Sequence, residues 1–517
     1  MTISPSVESP ALGNARPTGT ILTSNVALVV IVLGALVIRL AWVAIMPLNK
    51  DEGYHYLYSV HPSWSYFDHP PMMMLVVRGG LEICGGAVNF LSLRLGFVIL
   101  STATSWVLAR WTARQFGEWA GVCAALWWNL APFYSLGAGG QAMPDGPFLF
   151  FALLTMVALT RALIDSPNRT VPWIFVGLAW AAAMLSKYHG IFLPAGAVLY
   201  ILLTPNACRV LITPGPYLAV LIGIAGFTPV LYWNATHGWA SFMFQGERAL
   251  GTSFRPQELA TMILGQMGFL TPGLWAALVY VLVLHLRRWQ TVKPEERLMV
   301  CLAIVPLAFF LSVACVRKVH PHWTLLGFLP LMPLLGKQFV DWYRSWPKLS
   351  VGITAGWAVC FVLLAFLFAG HARFGLVTLD RDPAADQGGW ESLAKRLDAL
   401  GVVDKPNTFL FTGNWHESGQ IGFALAGRSP VVCYSTYDAR GFALWSRPDD
   451  WVGKDGILIS FDNLPWEPQD FAPYFDRVEL LDDFWMTRSG QPLRPVRVFH
   501  CSRQLKPFPF SNKPIPK

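Results

Sequence analysis

Charge is what this sequence has least of: Asp, Glu, Lys and Arg make up 14% of its 517 residues, against about a quarter in soluble domains. With 54% apolar residues and a mean hydropathy of +0.43, that scarcity excludes a soluble globule, and the length excludes a single anchor. The class is a polytopic membrane protein. Basic tracts are missing too. The net charge is +8, yet Lys and Arg are dispersed between apolar runs, so the charge reads as membrane topology and no nucleic-acid partner is expected. Cysteine is sparse. Six of the eight, Cys84, Cys123, Cys208, Cys301, Cys315 and Cys360, lie in or beside apolar segments without metal-ligand spacing and read as packing residues. Cys433 and Cys501 could pair if their region faces an oxidising compartment. There is no internal repeat, and the one biased stretch is the Pro-, Ser- and Gly-rich start, residues 1–22, expected to be a disordered cytoplasmic tail.

What is there in abundance is long apolar runs. The first, 25–46, has no small-residue cleavage site before Lys50-Asp51 and is therefore a retained span. Further runs follow at 90–109, 118–136, 146–164, 171–186, 190–203, 214–233, 259–284, 298–315, 323–340 and 350–370, which predicts about eleven spans. Two of them, 171–186 and 190–203, are short and flank the polar Ser186-Lys187-Tyr188-His189. They are expected to be broken or tilted helices lining a cavity.

An inside N-terminus puts more Lys and Arg on the inner loops, as the positive-inside rule favours. It also places the first outer loop (47–75), Lys187, Arg248 and the Arg317 to His322 segment on the outer face, where their cations look like ligands for an anion. Residues 23–375 then form the membrane domain. From 376 to 517 the composition is mixed, with helical patterns at 387–400 and 416–426 and strand patterns at 408–411 and 456–460, predicting an outer-face α/β soluble domain.

The first outer loop concentrates chemistry. Residues 49–74 hold three carboxylates, three histidines and six aromatic rings. If Lys50 to Val60 is a helix, Asp51, Tyr54, His55 and Tyr58 share one face. Tyr54, Tyr56, Tyr58, Trp64, Tyr66 and Phe67 would hold it at headgroup level. A carboxylate beside a bilayer is costly unless it has a purpose. Asp51 is either a helix cap or a general base; Glu52 reads as facing water. Asp68 and His69 either close a turn before Pro70-Pro71 or bind a phosphate or divalent ion.

The Asp51-Glu52 pair after the first span, Tyr66-Phe67-Asp68-His69-Pro70-Pro71, and Ala142-Met143-Pro144-Asp145-Gly146-Pro147 together resemble the bacterial glycosyltransferases related to protein O-mannosyltransferases and to the lipid A aminoarabinose transferase. The likeness extends to Leu185 through Gly190, to Phe244-Gln245 with Arg248, and to Lys318-Val319-His320-Pro321-His322-Trp323. It implies the GT-C fold, an all-α polytopic membrane protein with about 11 to 13 transmembrane helices. It also implies an active site on the outer face of a bacterial inner membrane and a donor sugar carried on polyprenyl phosphate. The acceptor would be a lipid, glycan or protein, and no nucleotide cofactor is expected.

By position, the resemblance makes Asp51 the base that deprotonates an acceptor hydroxyl in an inverting displacement. The leaving phosphate would be met by Lys187, Arg248 and Arg317 or Lys318, with His69, Tyr54, His55 and Asp145 as further substrate contacts. Here a histidine, His69, stands where the aminoarabinose transferase has a lysine. Asp68, His320 and His322 could instead hold a divalent metal ion. Asp145 also reads as an N-cap. The rivals are a protein O-mannosyltransferase, differing in acceptor, and a transporter or flippase of lipid-linked sugar, which predicts midplane charges and repeat symmetry.

Overall fold

The computed structural model describes residues 23–249, 254–379, 382–461 and 467–512. The expected N-terminal tail lies outside them. Helix α1 (Ser24–Ile45) starts at Thr23 and, at 22 residues, is roughly 33 Å long, enough to cross the hydrocarbon. After it come α2 (Glu52–Val60), α3 (Met72–Ile83) and α4 (Phe90–Phe116). Asn89 and Ser92 cap the start of α4 reciprocally.

Among the described residues, six helices are long and apolar enough to span, or seven if one bent pair counts as a span. The expected number was higher because several apolar runs are broken. The run 259–284 is two helices, Pro256–Leu270 and Pro272–Arg287, bent by 107°. Pro272 follows Thr271, whose φ is +78°, so the first helix cannot continue. The run 118–136 breaks where Pro132 follows Ala131. The short helices Val171–Ser186 and Phe192–Leu203 are separated at Lys187, as the polar insert predicts. The last span, Pro347–Phe374, is only 6% buried across its apolar window and so faces lipid along most of its length. It ends at Gly375, which takes the left-handed φ of +68° that favours glycine.

The C-terminal region is the expected α/β unit. Strands β1 (Thr408–Thr412), β2 (Val431–Cys433), β3 (Asp455–Phe461), β4 (Phe475–Arg488) and β5 (Gln491–Gln504) form one sheet in the order β2-β1-β3-β5-β4. β1 is parallel to both β2 and β3, while β5 is antiparallel to β3 and β4. Helices Trp390–Ala399 and Trp415–Ala424 match the two helical patterns. Cys433 and Cys501 are both buried free thiols. They sit on β2 and β5, three strand spacings or roughly 14 Å apart, which is beyond disulfide reach.

This domain is locked onto the first loop. α2 crosses helix Trp415–Ala424 glycine against glycine: a Cβ on Gly53 would lie 2.6 Å from the Gly419 carbonyl carbon, and one on Gly419 would lie 2.5 Å from the Tyr54 nitrogen. Only glycine permits that approach. Gln420 Nε2 donates to the Asn49 carbonyl at 2.6 Å, and the Gly441 amide donates to the Tyr54 hydroxyl at 2.9 Å.

Candidate active site

The start of α2 separates two neighbouring carboxylates by environment. Asn49 Oδ1 accepts from the amides of Asp51 (2.8 Å) and Glu52 (3.2 Å), so it takes the capping role and the Asp51 side chain makes no cap bond. Asp51 is left 48% exposed, with His416 Nε2 at 3.3 Å. His416 is pushed down to about 4 by burial and, beyond that, by the Arg440 charge, against the pull of Asp51. It is therefore neutral at pH 7, and its N–H can donate to the Asp51 carboxylate.

Glu52 does not face water. It is completely buried and takes a two-pronged ion pair from Arg94, Nε to Oε1 at 2.8 Å and Nη2 to Oε2 at 2.6 Å. The Ala142 and Asn49 amides also donate to it. Arg94 donates in turn to the carbonyls of Val43, Met46 and Pro47. Arg94 is thus the clamp joining α1, α2 and α4.

Asp68 is also committed internally. Its Oδ1 accepts from the Tyr54 and Tyr58 hydroxyls and its Oδ2 pairs with Arg440 at 3.1 Å. Burial alone would raise its carboxyl, but His69, itself protonated only at the acid pH where Asp68 titrates, together with the Arg440 guanidinium and the Tyr58 bond, holds it at about 2. Tyr54 and His55 are not substrate contacts on an open face: both are buried, and His55 Nδ1 lies 2.7 Å from the Ala142 carbonyl. Nor is the aromatic set displayed on the protein surface. Tyr54, Tyr56, Tyr58, Tyr66 and Phe67 are buried and Trp64 alone of the six is largely exposed. Tyr54 packs on Trp415 and Trp445 at centroid distances of 5.0 and 5.4 Å.

A second cluster gathers the cations. Lys187, at the break between two short helices, is buried with its Nζ 2.8 Å from Asp145 Oδ1. Asp145 is therefore an ion-pair partner and not an N-cap; Pro144 occupies that position. Its other oxygen is buried without a partner, as is His189 Nε2. Arg248 stacks over Phe244 at 4.0 Å and lies 5.8 Å from the Trp323 centroid. Burial, then Arg440, lowers its guanidinium to about 10, which leaves it charged at neutral pH, within the field of Asp68, Asp438 and Asp51. His69 is driven down to about 3, by burial first and then by His55, Lys187 and Arg248 against the pull of Asp68. At pH 7 it offers a neutral hydrogen bond and no cation. Arg317, Lys318 and His320 are exposed, and the charges of Lys318 and Arg248 both reach His320.

Asp68, His320 and His322 do not fit a divalent-ion site. Asp68 is saturated by two tyrosines and Arg440, and among the described residues no group of three or more His, Cys, Asp or Glu side chains is arranged to hold a metal.

Sequence reasoning missed Arg440 and reached His416 only as part of a polar, aromatic cluster able to touch an acceptor sugar but equally ordinary for a surface. Both belong to the C-terminal domain, more than 350 positions from Asp51 and Asp68, the loop residues they touch. The Asn414-Trp415-His416-Glu417 cluster was the available signal, and it looks like any polar surface until the fold closes.

Residues 68–233 match the family described as dolichyl-phosphate-mannose-protein mannosyltransferase. Over 454 residues the chain is 24% identical to the lipid A galacturonosyltransferase RgtD of Rhizobium johnstonii, covering 81% of this chain and 89% of that one. The crystal structure of ArnT from Cupriavidus metallidurans bound to undecaprenyl phosphate superposes with a TM-score of 0.63 at 16% identity, over 95% of this chain and 99% of that chain. The apo ArnT structure gives the same TM-score at 17% identity, over 91% and 97%. A helical membrane core closed on one side by an α/β domain, in this topology, is the GT-C fold. The chain accordingly shares the fold of ArnT, and its sequence is similar to that of a lipid A sugar transferase over most of its length.

Proposed function

We propose that this protein transfers a sugar from a polyprenyl-phosphate carrier to an acceptor hydroxyl at the outer face of a bacterial membrane, with Asp51 as general base. The observation that carries the reading is the contrast at 51–52: Glu52 is consumed by Arg94, while Asp51 is half-exposed, released from capping and oriented by a neutral imidazole. ArnT holds undecaprenyl phosphate and RgtD is named for a lipid A sugar transfer. The first favours a prenyl-phosphate donor and the second a lipid acceptor.

In the reaction, the Asp51 carboxylate accepts the acceptor's O–H proton as that oxygen bonds to the anomeric carbon. The bond from that carbon to the phosphate oxygen breaks, and its electron pair leaves on the lipid phosphate. Arg248 and Lys187 stabilise the charge, so no acid need protonate the leaving group. His69 contributes a neutral hydrogen bond. A single displacement inverts the anomeric centre. Outer-face placement is supported by the distribution of loop cations.

The test is mass-spectrometric detection of free polyprenyl phosphate from a panel of polyprenyl-phosphate sugars, with membrane extract as acceptor. Wild-type release that disappears in Asp51→Asn is the expected result. Undiminished release by a folded Asp51→Asn protein would remove Asp51 as the base.

A further inference from the structure

Two recesses meet at Arg161. One, of about 250 Å³, lies between the last turns of α4 and the end of the span Asp145–Asp165, and Arg110, Arg114 and Arg161 all line it. The other, of about 460 Å³, is a groove between that span and helix Val171–Ser186. Every residue lining the groove is apolar except Arg161. Val157, one turn before Arg161, also lines both recesses, so the two are continuous.

Both spans flanking the first recess begin at the candidate active site. α4 carries Arg94, the partner of Glu52, near its start, and Arg110 and Arg114 lie roughly 24–30 Å further along its axis. The second span opens at Asp145, the partner of Lys187, and Arg161 follows roughly 24 Å later. The three arginines therefore sit at the opposite end of the bundle, separated from the Asp51 loop by most of a hydrocarbon thickness of about 30 Å.

Charge at this end does not cancel. Arg110 pairs with Glu118 at 3.1 Å and Arg114 with Asp165 at 2.9 Å. Arg161 is exposed and has no carboxylate partner among the described residues. Trp111 adds a second unused group: it is 4% exposed, lines the same recess, and its Nε1 is buried without a partner. From Phe151 to Arg161 the groove runs roughly 15 Å, the depth of one leaflet, which is the reach of an acyl chain.

We propose that this end of the bundle binds an anionic glycerophospholipid of the leaflet opposite Asp51, which is the inner leaflet in the orientation given above. Its phosphate meets Arg161 in the field of Arg110 and Arg114, the Trp111 indole offers a hydrogen bond to a headgroup oxygen, and one acyl chain lies in the groove. The lipid is not a substrate, since most of the membrane separates it from the base. It braces α4 against the span Asp145–Asp165, the two elements that carry Arg94 and Asp145 at their other ends, and binding is expected to raise the melting midpoint. Nothing in this depends on the transfer reaction.

The experiment uses the full chain in phosphatidylcholine nanodiscs doped with phosphatidylglycerol, with native mass spectrometry of the retained lipid. Wild type should keep one phosphatidylglycerol in preference to phosphatidylcholine. Arg161→Gln removes the unpaired charge and should lower that retention about fivefold, the worth of one basic side chain beside an anionic headgroup. Ala179→Trp fills the apolar groove without touching charge and should lower it as well. Arg169→Gln removes an exposed arginine that lines neither recess and should leave retention unchanged. Wild-type retention in a folded Arg161→Gln or Ala179→Trp protein would overturn the proposal, as would an equal loss in Arg169→Gln, which would mean a diffuse basic surface. Added inorganic phosphate should not displace the lipid; displacement would reduce the recess to a free-phosphate site and overturn the lipid assignment.

Discussion

Two adjacent carboxylates show how much a residue's neighbours decide. Glu52→Gln would leave Arg94 buried with no counter-charge, and loss of one partner from such a pair costs about 3–5 kcal/mol. Thermal unfolding should show a sharply lower midpoint or no folded protein, whereas Asp51→Asn, on a half-exposed side chain, should unfold like wild type. The buried imidazoles add a pH dependence. His416 and His69 bind a proton near 6.5 when unfolded but only near 4 and 3 in the native state. Below pH 6.5 the unfolded chain therefore takes up protons that the native chain refuses, and stability declines as pH falls towards 4. Asp68, depressed from 3.8 to about 2, adds a loss confined to pH below 4. Between pH 6.5 and 4 the melting midpoint of His416→Gln should fall less steeply than that of wild type, and parallel slopes would place the acid sensitivity elsewhere.

At the scale of elements, the crossing of α2 and helix Trp415–Ala424 is the contact that assembles the site. Gly419→Ala places a Cβ against backbone at 2.5 Å, which side-chain movement cannot relieve, and overpacking of this kind costs about 1–3 kcal/mol. The expected outcome is a lower melting midpoint together with reduced transfer; wild-type values for both would mean the helices slide without consequence. Several elements were legible from pattern alone. The first span, strands β1 and β3 and the two helices of the C-terminal domain match their expected positions closely, because each is a long apolar run or a clear period. β4 and β5 escaped notice because they form a ribbon exposed over much of its length, so charged residues interrupt its alternation. The bend at Thr271 was signalled by Pro272, but hydropathy averaged across it.

For the molecule as a whole, the membrane core and the α/β domain act as one unit, since Arg440 neutralises Asp68 and His416 orients Asp51 across their junction. A chain ending at Gly375 keeps every candidate span yet should lose transfer entirely and melt earlier. Retained transfer would reduce the domain to a passive cover. By itself the sequence determined the membrane class and the α/β unit at the C-terminal end, and it drew attention to the loop at Asp51 through Asp68. Those are properties of composition, period and local motif. Only the tertiary structure decided that Glu52 and Asp68 are structural, that Asp145 serves Lys187, and that Asp51 alone of the three loop carboxylates stays half-open. The reason is physical: a carboxylate's role depends on which distant cation or hydroxyl the folded chain brings to it, and Arg94, Tyr58, Lys187 and Arg440 come from elements whose proximity no local pattern records.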